Sequence, residues 1–210
     1  GHAMHSFYSS TTQPYTYSHY TLFVAEVAST VNELLMNDAL RRQTDDRAFE
    51  MYLVNNALED IRGTLFRQTM FAEFERWAHE RVEAGEALTP DQLDQHYADL
   101  CRRYYGPDVE IDEYVAAEWS RIPHFYRAFY VYQYATGISA AVALSRQIIE
   151  EGEPARQRYR TFLSGGSSRY SLDLLRDAGV DMTTAAPVER ALDAFAALLD
   201  ELERLLDDAE

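Results

Sequence analysis

The sequence predicts an all-α protein. Apolar residues recur at the three-to-four-residue spacing of a helix along nearly the whole chain, while alternating, strand-like runs bounded by turn residues are scarce. Helix-start and helix-stop residues punctuate those stretches. In 210 residues, 47% hydrophobic and 13% aromatic content is ample for a globular core.

Each element follows from its own pattern. The run HYTLFVAEVASTVNELLMNDAL, from about Tyr20 to Leu40, carries Phe23, Val27, Val31, Leu34 and Leu35 on one stripe. From about Asp45 to Glu83 the pattern predicts one helix, or two if Gly63 breaks it. Thr89 as N-cap, Pro90 at the first helical position and Asp91 in the first turn start the next helix. The stretch YYGPDVEIDEY breaks at Gly106-Pro107 and reads as a loop, and VAAEWSRIPHF leads to a further boundary at Pro123. FYRAFYVYQYATGISAAVALSRQIIEEG then predicts one long helix entered by an aromatic cluster, on which Tyr126 and Tyr130 share a face. TFLSGGSSRYSLDLLRDAGVDM holds the Gly/Ser-rich loop and a short helix ending at Gly179, and a last helix runs from about Pro187 to Leu206. No internal repeat appears, nor a linker long or polar enough to separate two domains.

The charge narrows the partners. All 19 basic residues are Arg, against 35 acidic ones, and the net charge of −16 disfavours phosphate backbones and anionic lipid surfaces. Neither nucleic acid nor membrane is therefore an expected partner. The single Cys101 excludes an internal disulfide framework and suits a reducing compartment, so the cytoplasm is expected. No apolar run approaches the ~18 residues of a membrane span, and no signal sequence opens the chain.

The opening GHAMHSFYSS admits three readings: a purification-tag remnant ending before Met4, a surface helix that happens to carry two histidines, or the second half of a zinc helix of the H-E-x-x-H kind. Downstream, Glu26 sits in the apolar stretch LFVAEVAST, either on the polar face of an amphipathic helix or buried with a partner such as a metal or an imidazole, and Glu33 lies two turns further along the same side.

Taken in order, GHAMHSFYSS, FVAEVASTVNELL, IPHFYRAFYVYQYATG and FLSGGSSRYSLDLLRDAGVDM resemble the C-terminal part of the oligoendopeptidase F group of the M3, thimet-like, zinc oligopeptidases. The similarity covers essentially the whole chain, residues 1–210. That family's zinc helix reads H-E-[LF]-G-H-x-x-H, and Gly1, His2 and His5 fall where it expects Gly and the last two histidines. The resemblance implies a helical, zincin-type catalytic domain that hydrolyses short peptides with Zn. It implies His2 and Glu26 as metal ligands, with Glu33 and His5 as supporting residues around them. His124, Tyr126 and Tyr130 are the candidates for contacting substrate and stabilising the oxyanion, Tyr126 slightly ahead of Tyr130. Gly165, Gly166 and Tyr170 are candidates for a loop beside the substrate cleft. Because the first zinc histidine and the general-base Glu of the motif lie before Gly1, this chain alone is expected to be inactive. The rival reading is a non-catalytic helical interaction module on the same fold. His19, His79 and His96 read as surface residues. Oligomeric state and cleavage specificity are not legible.

Overall fold

In the computed structural model, which describes residues 1–207, ten α-helices follow one another and no strand occurs among the described residues. The chain falls into two compact units. Gly1–Arg62 with the described part of Thr136–Glu210 forms the first, and Gly63–Ala135 the second. Both crossings lie in helical segments, at the π-turn Arg62–Phe66 and within the helix Tyr132–Glu151, so no linker composition marks them.

The first unit contains α1 (His2–Thr12), α2 (Leu22–Arg41) and α3 (Arg47–Ile61). On α2, Val24, Val27, Ala28 and Val31 are buried at the i, i+3, i+4, i+7 spacing, flanked by partly buried Phe23, Leu34 and Leu35. Each fully buried valine is worth about 1.5–3 kcal/mol relative to exposure. The second unit contains α4 (Arg67–Glu83), α5 (Pro90–Tyr105) and the single turn α6 (Glu113–Ala116). Gly63 does mark a break, as a π-turn between α3 and α4. Helix α5 starts at the predicted cap, where Thr89 and Gln92 complete a reciprocal capping box. Phe71, Phe74, Tyr97, Leu100, Ile122 and Val131 build the core of this unit.

Helix α7 (Tyr132–Glu151) starts later than its sequence predicts. The predicted helical face shared by Tyr126 and Tyr130 does not form, because Pro123–Tyr126 is a 3₁₀ turn and Phe129 adopts a left-handed backbone with φ of 58°. The Phe129 N–H donates to Glu75 Oε1 at 2.8 Å, so it is directed to a side chain and not to a carbonyl one turn back. Once helical, α7 is buried at every position from Gly137 to Ser145, which small residues there allow.

The first unit closes with α8 (Glu153–Leu163), α9 (Ser171–Asp177) and α10 (Ala186–Asp207). Helix α10 packs on α3 through Leu205 against Val54 and Leu58, with Phe195, Leu198 and Leu202 alongside.

Candidate functional site

Three groups of predicted residues occur, two in the first unit and one in the second. The first is built where α1 meets α2. A Cβ added to Gly1 would stand 2.2 Å from Ser29 Cα and 2.4 Å from the Ala28 carbonyl oxygen, so only glycine permits this approach of the two helices. The approach brings His2 Nε2 to 3.4 Å from Glu26 Oε2, with both side chains still reachable by solvent. Ser29, one turn on from Glu26, donates its hydroxyl to Glu26 Oε2 at 3.1 Å and orients the carboxylate.

His5 behaves differently from His2. It is 1% exposed, its ring stacks on Tyr20 at 3.6 Å with planes 4° apart, and Phe162 lies 5.6 Å away. Burial, and secondarily the neighbouring His2, lower its pKa to about 4, so it is a neutral packed imidazole. Its Nδ1 is buried without a hydrogen-bond partner among the described residues. Glu33 lines a cavity of about 620 Å³ between α2 and α3, together with Asn37, Tyr52, Asn56 and Asp60. Partial burial, then Asp60 and Glu26, raise its pKa. No hydrogen bond joins Glu33 to His2 or His5 among the described residues.

The second group is the Gly-rich loop. A Cβ on Gly165 would meet Leu174 Cδ2 at 2.7 Å, and one on Gly166, at φ of 53°, would lie 2.0 Å from the Tyr17 carbonyl oxygen. Both glycines thus serve close approach of the chain to itself. The Ser167 N–H donates to the Tyr17 carbonyl at 2.9 Å, while Thr12 and Gln13, at the end of α1, donate to the Ser164 carbonyl. The loop is therefore tied to the helix that carries His2. Tyr170 is 85% exposed and borders a hollow formed with Thr21, Ser167, Ser168, Arg169 and Asp173.

The third group lies in the second unit. His124 is exposed, its ring stacks on Tyr130 at 5.4 Å, and the Tyr134 hydroxyl donates to the Tyr130 hydroxyl at 3.2 Å. Tyr134 also stands 3.5 Å from His124 Nε2. Tyr126 takes no part and is 88% exposed. Tyr134 escaped the sequence reading, although the four-residue spacing that paired Tyr126 with Tyr130 pairs Tyr130 with Tyr134 equally well. Two histidines read as surface residues are half-buried instead: His79 packs on Phe129 at 4.6 Å and His96 stacks on Trp77 at 3.9 Å. His19 is exposed, as expected.

Among the described residues no group of three His, Cys, Asp or Glu side chains could hold a metal. The His2–Glu26 pair nevertheless fits one. An imidazole nitrogen and a carboxylate oxygen are zinc donors, and bonds of about 2.0–2.1 Å place adjacent tetrahedral ligands about 3.3 Å apart. The observed separation of 3.4 Å matches that edge.

Comparison with known proteins places the chain in a family. The sequence model of peptidase family M3 matches residues 1–194. Oligopeptidase PepF of Bacillus subtilis (strain 168) is 53% identical over 206 residues, covering 98% of this chain and 31% of the relative. The plasmid-encoded oligoendopeptidase F of Lactococcus lactis subsp. cremoris is 42% identical over 207 residues, 99% of this chain and 34% of the relative. The crystal structure of oligoendopeptidase-F from Enterococcus faecium superposes with a TM-score of 0.88 at 42% identity, covering 99% of this chain and 38% of that one. The chain thus spans about a third of the length of the curated relatives it matches. With the family sequence pattern matched across most of its length and the helical fold shared with a solved oligoendopeptidase, the chain belongs to peptidase family M3.

Proposed function

We propose that this chain is part of a zinc-dependent oligoendopeptidase acting on short peptides, and that His2 and Glu26 supply two of its metal ligands. The observation that carries the reading is the convergence of His2 and Glu26 from different helices at a separation suited to one zinc ion. Zinc, when bound, lowers the pKa of a coordinated water and polarises a carbonyl. The chain's own residues have separate tasks, unit by unit. Ser29 keeps the Glu26 carboxylate turned toward His2. His5 fills the space behind α1 as a neutral ring against Tyr20. Glu33 contributes negative charge along the same helix face. In the second unit, the Tyr130 hydroxyl, held by Tyr134 and flanked by His124, is a donor without fixed charge, suited to a developing oxyanion. Tyr126, fully in solvent, is the weaker candidate on this geometry. Ser167 to Tyr170 offer the exposed edge of the Gly-rich loop to a peptide, with Gly165 and Gly166 shaping it from behind.

A catalytic zinc takes three protein ligands and a water, so with two of them the 210-residue chain alone is expected to hold zinc weakly and to cleave nothing. The single Cys101 is free and buried, which suits a reducing cytoplasm. No helix among the described residues is long and apolar enough to cross a membrane.

The test is peptide hydrolysis by the intact protein before and after treatment with a chelator, with zinc content measured on the same samples. Activity that tracks zinc supports the reading. An intact protein that binds no zinc and cleaves no peptide would leave the helical interaction module as the better description.

A further inference from the structure

The turn Arg127–Tyr130 closes with the Tyr130 N–H on the Arg127 carbonyl, and its third residue, Phe129, has φ of 58°. That position normally asks for Gly or Asn, because a side chain crowds the backbone there. A phenylalanine persists only if its surroundings hold it. They do so from one helix face. Glu75 and His79 lie four apart on α4, and the buried Glu75 carboxylate accepts the Phe129 N–H at 2.8 Å while the His79 ring packs on the Phe129 ring at 4.6 Å. Glu75 is 5% exposed, and burial of a carboxylate is costly enough that this placement calls for a purpose beyond packing.

We infer that Glu75 is a positioning residue: by holding the Phe129 amide it sets the left-handed turn that aims the Tyr130 hydroxyl, together with His124 and Tyr134, at a bound peptide. This rests on the reading of Tyr130 as an oxyanion donor. The residue immediately after a strained one inherits its direction, so a change at Phe129 φ swings Tyr130 away from the Tyr134 hydroxyl that orients it. Glu75 itself touches no reacting atom.

The test uses the intact enzyme and the variants Glu75→Met, Glu75→Gln, Tyr130→Phe and the double variant Glu75→Met with Tyr130→Phe. Methionine keeps the volume and removes the acceptor. Turnover is expected to fall by about 10²-fold, the scale of a misplaced catalytic group, with zinc content and KM unchanged. Glutamine keeps an acceptor oxygen and should retain most of the turnover. In the Tyr130→Phe background, Glu75→Met should add little, because the group it positions is gone. Equal losses from Glu75→Met in both backgrounds, or none in either, overturn the inference. If Glu75→Met fails to fold, Glu75→Gln decides: a folded Gln enzyme with little turnover shows that the charge matters and not the amide contact, and overturns it. Full turnover in Tyr130→Phe alone refutes the underlying oxyanion reading, an outcome read independently of Glu75.

Discussion

His2 Nε2 and Glu26 Oε2 stand 3.4 Å apart although they belong to separate helices, and the backbone of Gly1 against Ala28 and Ser29 is what allows it. The contact is a piece of tertiary packing before it is a piece of chemistry.

Replacing Glu26 by Gln in the intact protein keeps the shape and removes the charge. Since loss of even an outer-shell partner costs about 10–100-fold in metal affinity, loss of this ligand's charge should cost at least as much. Zinc content and activity should fall together, by metal analysis and peptide assay. Full zinc and full turnover would make Glu26 an ordinary helix residue.

Gly1→Ala tests the helix contact itself. The new methyl group would lie 2.2 Å from Ser29 Cα, so α1 must move away from α2. Overpacking of this kind costs about 1–3 kcal/mol. Urea denaturation of the intact protein should show that loss, with weakened zinc binding beside it. An alanine variant of unchanged stability and metal content would mean that the helices do not meet this closely.

Tyr130→Phe and Tyr126→Phe separate the aromatic candidates. Losing one oxyanion donor typically costs ~10²–10³ in catalytic rate, with little change in KM. That loss is expected for Tyr130, whose hydroxyl is held by Tyr134, and not for Tyr126, which stands in solvent. Steady-state kinetics on the two variants reads the difference directly, and the reverse ranking would restore Tyr126.

His5 predicts a pH dependence of stability. Its folded pKa lies near 4, below the ordinary 6.5, chiefly through burial. Between these values the unfolded chain binds a proton that the folded chain refuses, so stability is full above pH 6.5 and falls as pH drops toward 4. The loss is about 2 kcal/mol on going from neutral pH to 5, at roughly 1.4 kcal/mol per pH unit. Denaturation of metal-free protein at both pH values, with His5→Phe as comparison, isolates it from the carboxylates. A variant with the same pH slope as the parent would show that His5 is not the group responsible.

What the sequence determined by itself is local. Helical periodicity, the Thr89-Pro90 start, the Gly106 break and the final helix depend on spacing and capping within a few residues, and they stand where the pattern puts them. The order of the four motifs was also legible, because a linear pattern survives in a linear text. What only the tertiary structure decided depends on residues distant in sequence. Helix α7 starts only at Tyr132, beyond the left-handed Phe129 whose amide goes to Glu75, far back on α4, and no local propensity records that contact. The 3₁₀ turn Pro123–Tyr126 and the left-handed Phe129 separate Tyr126 from Tyr130, and the Tyr130 hydroxyl meets Tyr134. His2 and His5 look equivalent at three-residue spacing, yet one faces Glu26 and the other is sealed beneath Tyr20, since the two sides of α1 meet different neighbours. Helical spacing states which residues share a face; only packing states what that face meets.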